Sequence, residues 1–201
     1  MQITTYNNNG LNDVLMIQFQ KMEATAQVPE RNGDIVLIKS KDDGKVTGIN
    51  LFKASDYLHG LTDGPVELEE EAVDKVNSLI AEAGFSIKLE TETSPKFVVG
   101  YVTSCEPVEG SDHLNLTQTE VDNGEILQIV CGAANIAKGQ KVVVARTGAV
   151  MPDGMVIWPG ELKGIESNGM ICSAGELGLP QEGKGIMVLS EDAEVGTAFS
   201  A

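Results

Sequence analysis

Between Phe97 and Trp158 the chain offers one short strand candidate after another and no helix-length run of apolar residues at three- and four-residue spacing. The candidates are Phe97–Cys105 (FVVGYVTSC), Leu114–Val121 (LNLTQTEV), Ile126–Cys131 (ILQIVC), Lys141–Ala145 (KVVVA) and Met155–Trp158. Turn chemistry separates them at Asp122–Gly124, Lys138-Gly139 and Ala149–Gly154. Short strands at regular spacing with nothing helical to cover them predict an antiparallel sheet that closes on itself. Gly100, inside the first candidate, predicts a bulge or sharp bend of the kind a barrel needs.

The preceding residues read differently, as a small α+β unit. Asp13–Gln20, Asp34–Lys39 and Val46–Phe52 are strand candidates, and the turn Lys41–Lys45 carries an Asp-Gly step suited to a hairpin. Val66–Phe85 predicts a helix: Leu68, Ala72, Val76, Leu79 and Ala83 recur on one face, Glu67, Glu69, Glu70 and Glu71 crowd its positive end, and Gly84 stops it. Phe85–Glu92 is a further strand candidate, and Thr91–Pro95 has linker composition. The expected fold is thus an α+β N-terminal domain, residues 1–93, followed at 94–201 by an all-β, five-stranded, Greek-key barrel of the oligonucleotide/oligosaccharide-binding type (OB-fold).

Composition limits the function classes. No apolar run approaches the roughly 20 residues that span a bilayer, and the N-terminus lacks a basic-then-apolar leader, so the expectation is a cytoplasmic chain without membrane contact. Cys105, Cys131 and Cys172 are widely spaced and have no histidine cluster near them, which predicts reduced, buried thiols and neither metal nor cofactor. His59 stands alone and reads as a surface or packing residue. The net charge of −16 runs against nucleic-acid binding, which draws on basic groups that neutralise phosphates. Its distribution is uneven, however: Ile126–Pro152 holds no acidic residue, while Lys138, Lys141 and Arg146 lie within it.

Glu161–Pro180 (ELKGIESNGMICSAGELGLP) is punctuated by Gly164, Gly169, Gly175 and Gly178 and reads as loops and turns that close the barrel. With it, five blocks stand in order along the chain: Val99-Gly100-Tyr101-Val102; Ser111-Asp112-His113-Leu114; Leu127–Asn135; Gly139 and Lys141–Ala145 with Gly148-Ala149; and Leu162–Ser173 with Glu176–Leu179. In these blocks Phe97–Pro180 resembles the tRNA-binding module of the bacterial phenylalanyl-tRNA synthetase β-subunit and of free-standing bacterial tRNA-binding proteins. The whole chain, through Gly33-Asp34-Ile35-Val36 and Asn50–Ser55, resembles the YtpR-like tRNA-binding proteins. Lys163 stands where the family often has Arg, Ala134 where it commonly has Pro, and Asp112-His113 where it usually has Asp-Lys.

The resemblance implies a non-catalytic protein that recognises folded tRNA by shape and backbone contacts. Lys138, Lys141, Arg146 and Lys163 would meet phosphates; Asn135, Ser167 and Asn168 would hydrogen-bond sugars or phosphates; Met170 would lie against a ribose or base. A homodimer would present two such surfaces. The alternative is a protein-interaction or oligomerisation barrel that has lost RNA affinity, since from Lys96 onward there are six basic and fourteen acidic residues. An enzyme using Ser111-Asp112-His113 with Cys131 or Cys172 is the weakest reading, because residues adjacent in sequence do not readily orient one another as a triad does.

Overall fold

The computed structural model describes residues 1–200, which fall into two compact units, Met1–Thr93 and a second that begins at Ser94. The first contains β1 (Ile3–Asn7), β2 (Val14–Gln18), β3 (Gln27–Asn32), β4 (Ile35–Ser40), β5 (Val46–Phe52) and β6 (Gly64–Pro65), followed by helix α1 (Glu70–Glu82). The six strands form one antiparallel sheet in the order β3-β4-β5-β2-β1-β6. Alternation decides which side chains meet α1. Leu15 and Ile35 flank Leu51, and Ile17 and Leu37 flank Ile49, making two rows across β2, β5 and β4. Val73, Val76 and Ile80 of α1 join the same buried cluster. Each such side chain, removed from water, contributes roughly 1.5–3 kcal/mol. The unit is therefore mostly strand, with one helix packed on it.

Several boundaries differ from the sequence reading, each for a visible reason. Strands β1 and β3 carry no clear sequence signal; β3 is an exposed edge strand in which Pro29 is tolerated because one side of an edge needs no donor. Helix α1 starts at Glu70 rather than Val66, because Gly64 and Pro65 pair with Tyr6 and Thr5 and the Val66 N–H donates to Thr4 O (2.9 Å). It ends as expected at Gly84 (φ 79°), where the Gly84 N–H donates to Ala81 O and the Phe85 N–H to Ile80 O, a Schellman pattern. Phe85–Glu92 forms no strand. Instead the Asn77 side chain accepts from the Leu89 N–H (2.7 Å) and donates to Leu89 O (3.1 Å), replacing a partner strand with one amide.

Asp13, in a left-handed conformation (φ 65°), joins three segments of this unit. Its carboxylate accepts from the Tyr6 hydroxyl (2.9 Å), the Ser55 N–H (2.9 Å) and the Ser55 hydroxyl (2.8 Å). Partial burial opposes its ionisation, but the Ser55 and Tyr6 donors outweigh that effect and hold the carboxyl below its usual range.

The second unit contains β7 (Phe97–Pro107), β8 (Asn115–Asp122), β9 (Glu125–Cys131), β10 (Lys141–Ala145), a small hairpin of β11 (Gly160–Leu162) and β12 (Ile165–Ser167), and β13 (Met170–Ile171). Its main sheet is antiparallel in the order β13-β10-β7-β8-β9, and it curls into a half-barrel. The Asn168 N–H donates to Gln128 O (2.8 Å), bringing the residues just before β13 to the opposite edge strand, β9. Met155–Trp158, expected as a strand, makes only the isolated bridge Val150↔Val156, within a loop that folds back through Ile157 N–H to Ala149 O (2.9 Å). Ile186–Leu189 likewise forms a single bridge, Val142↔Val188. The residues after it pack onto the sheet: Val98 and Ala198 are bridged, and the Val99 N–H of β7 donates to Thr197 O (3.0 Å).

Strand β10 is buried on both faces. Val142 and Val144 enter a cluster with Val98, Val102, Val121, Ile129 and Ile171, while Val143 and Ala145 face a second cluster with Met151, Ile157, Cys172 and Leu177. Inside the curl, Thr117 and Thr119 are fully buried, and the Thr117 hydroxyl is satisfied by donating to Ile129 O (2.8 Å). Gly100 is not the site of the expected bulge. The register shift lies further on, between Val102 and Ser104, and Gly100 is required for another reason. A Cβ at this position would stand 2.6 Å from Val144 Cγ2 and 2.9 Å from Thr119 Cγ2, so only glycine lets β7 approach across the tight interior.

The close approach at Gly100 is open to test by denaturation. Gly100→Ala should lower the urea midpoint by the equivalent of about 1–3 kcal/mol without changing the m-value; an unchanged midpoint would contradict the close approach. For Asp13, a depressed folded-state pKa means stability that is present above the unfolded value of 3.8 and lost as pH falls through the folded value. The stability difference between wild type and Asp13→Asn should thus be full near neutral pH and shrink below pH 3.8; a difference independent of pH would remove the carboxylate from this role.

Candidate nucleic-acid interface

The antiparallel register places the loop after β7 (108–114), the loop after β9 (132–140) and the start of β10 at one end of the half-barrel, because Asn115 faces Cys131 and Lys141 faces Tyr101. The β11–β12 hairpin runs beside β9 and reaches this same end. It is fastened through Gln128 Nε2 donating to Glu166 O (2.8 Å) and the Val130 N–H donating to Ser167 Oγ (3.1 Å). Its two turn residues, Lys163 (φ 52°) and Gly164 (φ 75°), both have positive φ, the twist that tight hairpins favour. That turn puts Lys163 at the tip, where its ammonium donates to Gly110 O of the 108–114 loop. Loop, hairpin tip and strand ends therefore converge.

The residues expected to contact RNA fall into two groups. Lys138 is exposed and has no hydrogen bond or ion pair among the described residues; Lys163 is exposed at the hairpin tip; Asn168 is half-buried and its side-chain amide is unengaged among the described residues. Met170 on β13 pairs with Ala145 and is half-buried against the second cluster. The other four are committed within the fold. Asn135 donates to Ile186 O (3.0 Å) and accepts from the Ile186 N–H (2.9 Å). The Lys141 ammonium donates to Glu191 O and Ala193 O, both at 2.6 Å. Ser167 is buried against Val130. Arg146 pairs with Glu125, and its side chain is 14% exposed.

The acid-free window does not form one surface. Lys138 and Lys141 lie at the end bearing the loops, whereas Arg146 follows the far end of β10, beside the turn that joins β8 to β9. Sequence reasoning also passed over Gln118 and Gln128. They are half-buried on β8 and β9, with Gln118 Nε2 donating to Gln128 Oε1 (3.2 Å); the signal for Gln118 was the polar phase of β8's alternation, whereas β9 does not alternate and gave none for Gln128.

Ser111, Asp112 and His113 form a surface turn. Ser111 Oγ accepts from the Leu114 N–H (3.1 Å), and His113 Nδ1 lies 2.7 Å from Asp112 Oδ1 in a pair that is 64% and 97% exposed. The His113 ring beside it holds the Asp112 carboxyl below its usual range. Cys131 and Cys172 are buried, and burial pushes the Cys172 thiol up to about 12, so it is protonated at neutral pH and poorly suited to nucleophilic attack. Among the described residues no His, Cys, Asp and Glu group could hold a metal ion.

Comparison with known proteins places this geometry. Residues 97–198 match the family described as "Putative tRNA binding domain", and residues 22–92 match "Domain of unknown function (DUF4479)". The chain is 47% identical over 196 residues to the "Putative tRNA-binding protein YtpR" of Bacillus subtilis (strain 168), covering 96% of this chain and 97% of that protein. It is 44% identical over 139 residues, 65% of the chain, to the phenylalanine–tRNA ligase beta subunit of Oceanobacillus iheyensis, and 50% identical over 99 residues, 49% of the chain, to that of Nitratidesulfovibrio vulgaris. These matches span only 17% and 12% of the ligase subunits. With its half-barrel matched from Phe97 to Ala198, and with near full-length similarity to the Bacillus protein, the chain belongs to the tRNA-binding domain family.

Proposed function

We propose that the chain binds folded tRNA without catalysing a reaction on it, through the second unit acting as a five-stranded OB-type Greek-key barrel. The observation that carries this reading is the 47% identity to a protein named for tRNA binding along nearly the whole of both chains. The curled sheet supports it, because barrels of this type bind oligonucleotides on the face of their second and third strands and on the loops beside it. Here those are β8, β9, the 108–114 loop and the β11–β12 hairpin. The two units act as separate domains, 1–93 and 94–201, in a cytoplasmic protein. No helix among the described residues is long and apolar enough to cross a membrane.

On this reading Lys138 and Lys163 contact phosphates. Asn168 hydrogen-bonds a sugar or phosphate, Gln118 offers a further polar contact, and Met170 supplies apolar surface. Asn135, Lys141, Arg146 and Ser167 act indirectly by holding the tail, the hairpin and the far end of β10. So sparse a set of outward-facing cations fits recognition of shape more than strong electrostatic capture, and the net charge of −16 weakens long-range attraction.

Mixed tRNA should be retarded by the full chain at about 50 mM salt, with affinity falling as salt rises. Lys138→Glu with Lys163→Glu should weaken binding at least about tenfold and reduce the salt slope by roughly 1.4–1.8, since each phosphate contact contributes about 0.7–0.9. Lys75→Glu with Lys88→Glu, both exposed in the first unit, is the charge-matched control and should change neither. No retardation at low salt would overturn tRNA binding; retardation unaffected by the double variant would overturn this surface.

A further inference from the structure

The first unit has a cleft of about 790 Å³ between the 57–68 segment and the N-terminal half of α1. That volume is within the range of ligand sites. Leu61, Val66, Leu68 and Ala72 line it and remain partly exposed, although they pack against the core beneath. Glu67, Glu69, Glu71 and Asp74 also line it at its rim, and none of their carboxylates has a hydrogen bond or ion pair among the described residues. Lys75 is the sole lysine or arginine in the lining. The helix dipole accounts for Glu71 in the first turn of α1, but Glu67 precedes the helix and Asp74 lies beyond that turn. Glu69 is the N-cap residue and shares the dipole's stabilisation, so it is the positions of Glu67 and Asp74 beside an accessible apolar floor that exceed what the helix start needs.

We propose that this cleft is a docking site for a cationic, apolar-anchored segment of a partner protein: aliphatic side chains in the floor, flanked by lysines or arginines that meet the four carboxylates. Charge complementarity selects this occupant. A nucleic acid or an anionic membrane would bring negative charge to a negative rim, and a second copy of this chain would bring a net −16. A purely polar polycation would leave the floor unused. Desolvating the aliphatic floor supplies affinity, and the acidic rim supplies orientation and a fast encounter.

The test uses the isotopically labelled full chain and a short amphipathic Leu/Lys peptide, followed by amide chemical shifts. The expected result is perturbation confined to the 57–78 region, binding that weakens with salt, and no response to a Leu/Glu peptide of the same pattern. Glu67→Gln, Glu69→Gln, Glu71→Gln and Asp74→Asn combined should weaken binding at least about tenfold, and Ala72→Trp, which fills the floor and leaves the charge intact, should do so as well. Neither variant should alter tRNA retardation, so the cleft and the tRNA surface fail or succeed separately. The proposal is overturned by the absence of peptide binding, by shifts lying elsewhere, by equal binding of the Leu/Glu peptide or of the acid-neutralised variant, by tRNA shifting the cleft resonances, or by sedimentation showing a self-association that Ala72→Trp abolishes.

Discussion

Strand β10 (Lys141–Ala145) has no contact with bulk water along its apolar stretch, and the second unit is arranged around keeping it dry. Val142 and Val144 fill the curl of the sheet; Val143 and Ala145 need an equal cover on the other side, which the loop 149–157 and the residues after Cys172 supply. Two-sided burial fixes the register on both flanks, because a slip of one residue would exchange the two sets of side chains between clusters of different shape. With β10 fixed, β7 must come close enough that Gly100 can carry no side chain. The end of the half-barrel that presents the loops follows from the same register.

The sparse positive charge of this unit is divided between holding the fold and facing outward. Lys141 anchors the tail by two backbone carbonyls and Arg146 is engaged by Glu125, while Lys138 stays in solvent and Lys163 is held at a hairpin tip by a turn that needs two left-handed residues. Recognition by such a surface depends on where a few donors are held rather than on total charge. On the proposed function, an acidic chain and an anionic ligand are compatible because donors at fixed positions would read a folded backbone whose shape, more than its charge density, differs from other nucleic acids. In the first unit four carboxylates, with Lys75, line an apolar cleft, a charge balance that suits a partner of opposite sign.

Much of the fold was legible in residues 97–145, since the strand candidates there fall within one or two residues of β7, β8, β9 and β10. Alternation and turn chemistry are local signals, and these strands obey them. The departures share one cause. Val66 has helical spacing that continues into α1, yet its N–H is taken by Thr4, some sixty residues earlier. Phe85–Glu92 has the composition of a strand, but Asn77 supplies the backbone partners. In Met155–Trp158 and Ile186–Leu189 the apolar residues Ile157, Ile186, Met187 and Leu189 cover β10 and its neighbours rather than extend the sheet. Of the candidate site, the identity of the polar residues was readable and their employment was not: Asn135 and Asn168 look alike in sequence, and only one of them has its amide bonded to Ile186.

The sequence by itself determined the strand periods, the glycine turns, the helix stop at Gly84 and, through five ordered blocks, the family. Each depends on residues close together in the chain, where backbone sterics and alternation act without reference to the rest. Tertiary structure alone decided which lysines face solvent, that Lys138 and Arg146 stand at opposite ends of one strand, and that the acids before and within α1 surround a cleft. The contacts made by Lys141, Asn135 and Lys163 join residues roughly fifty positions apart, and chain order does not encode such distances.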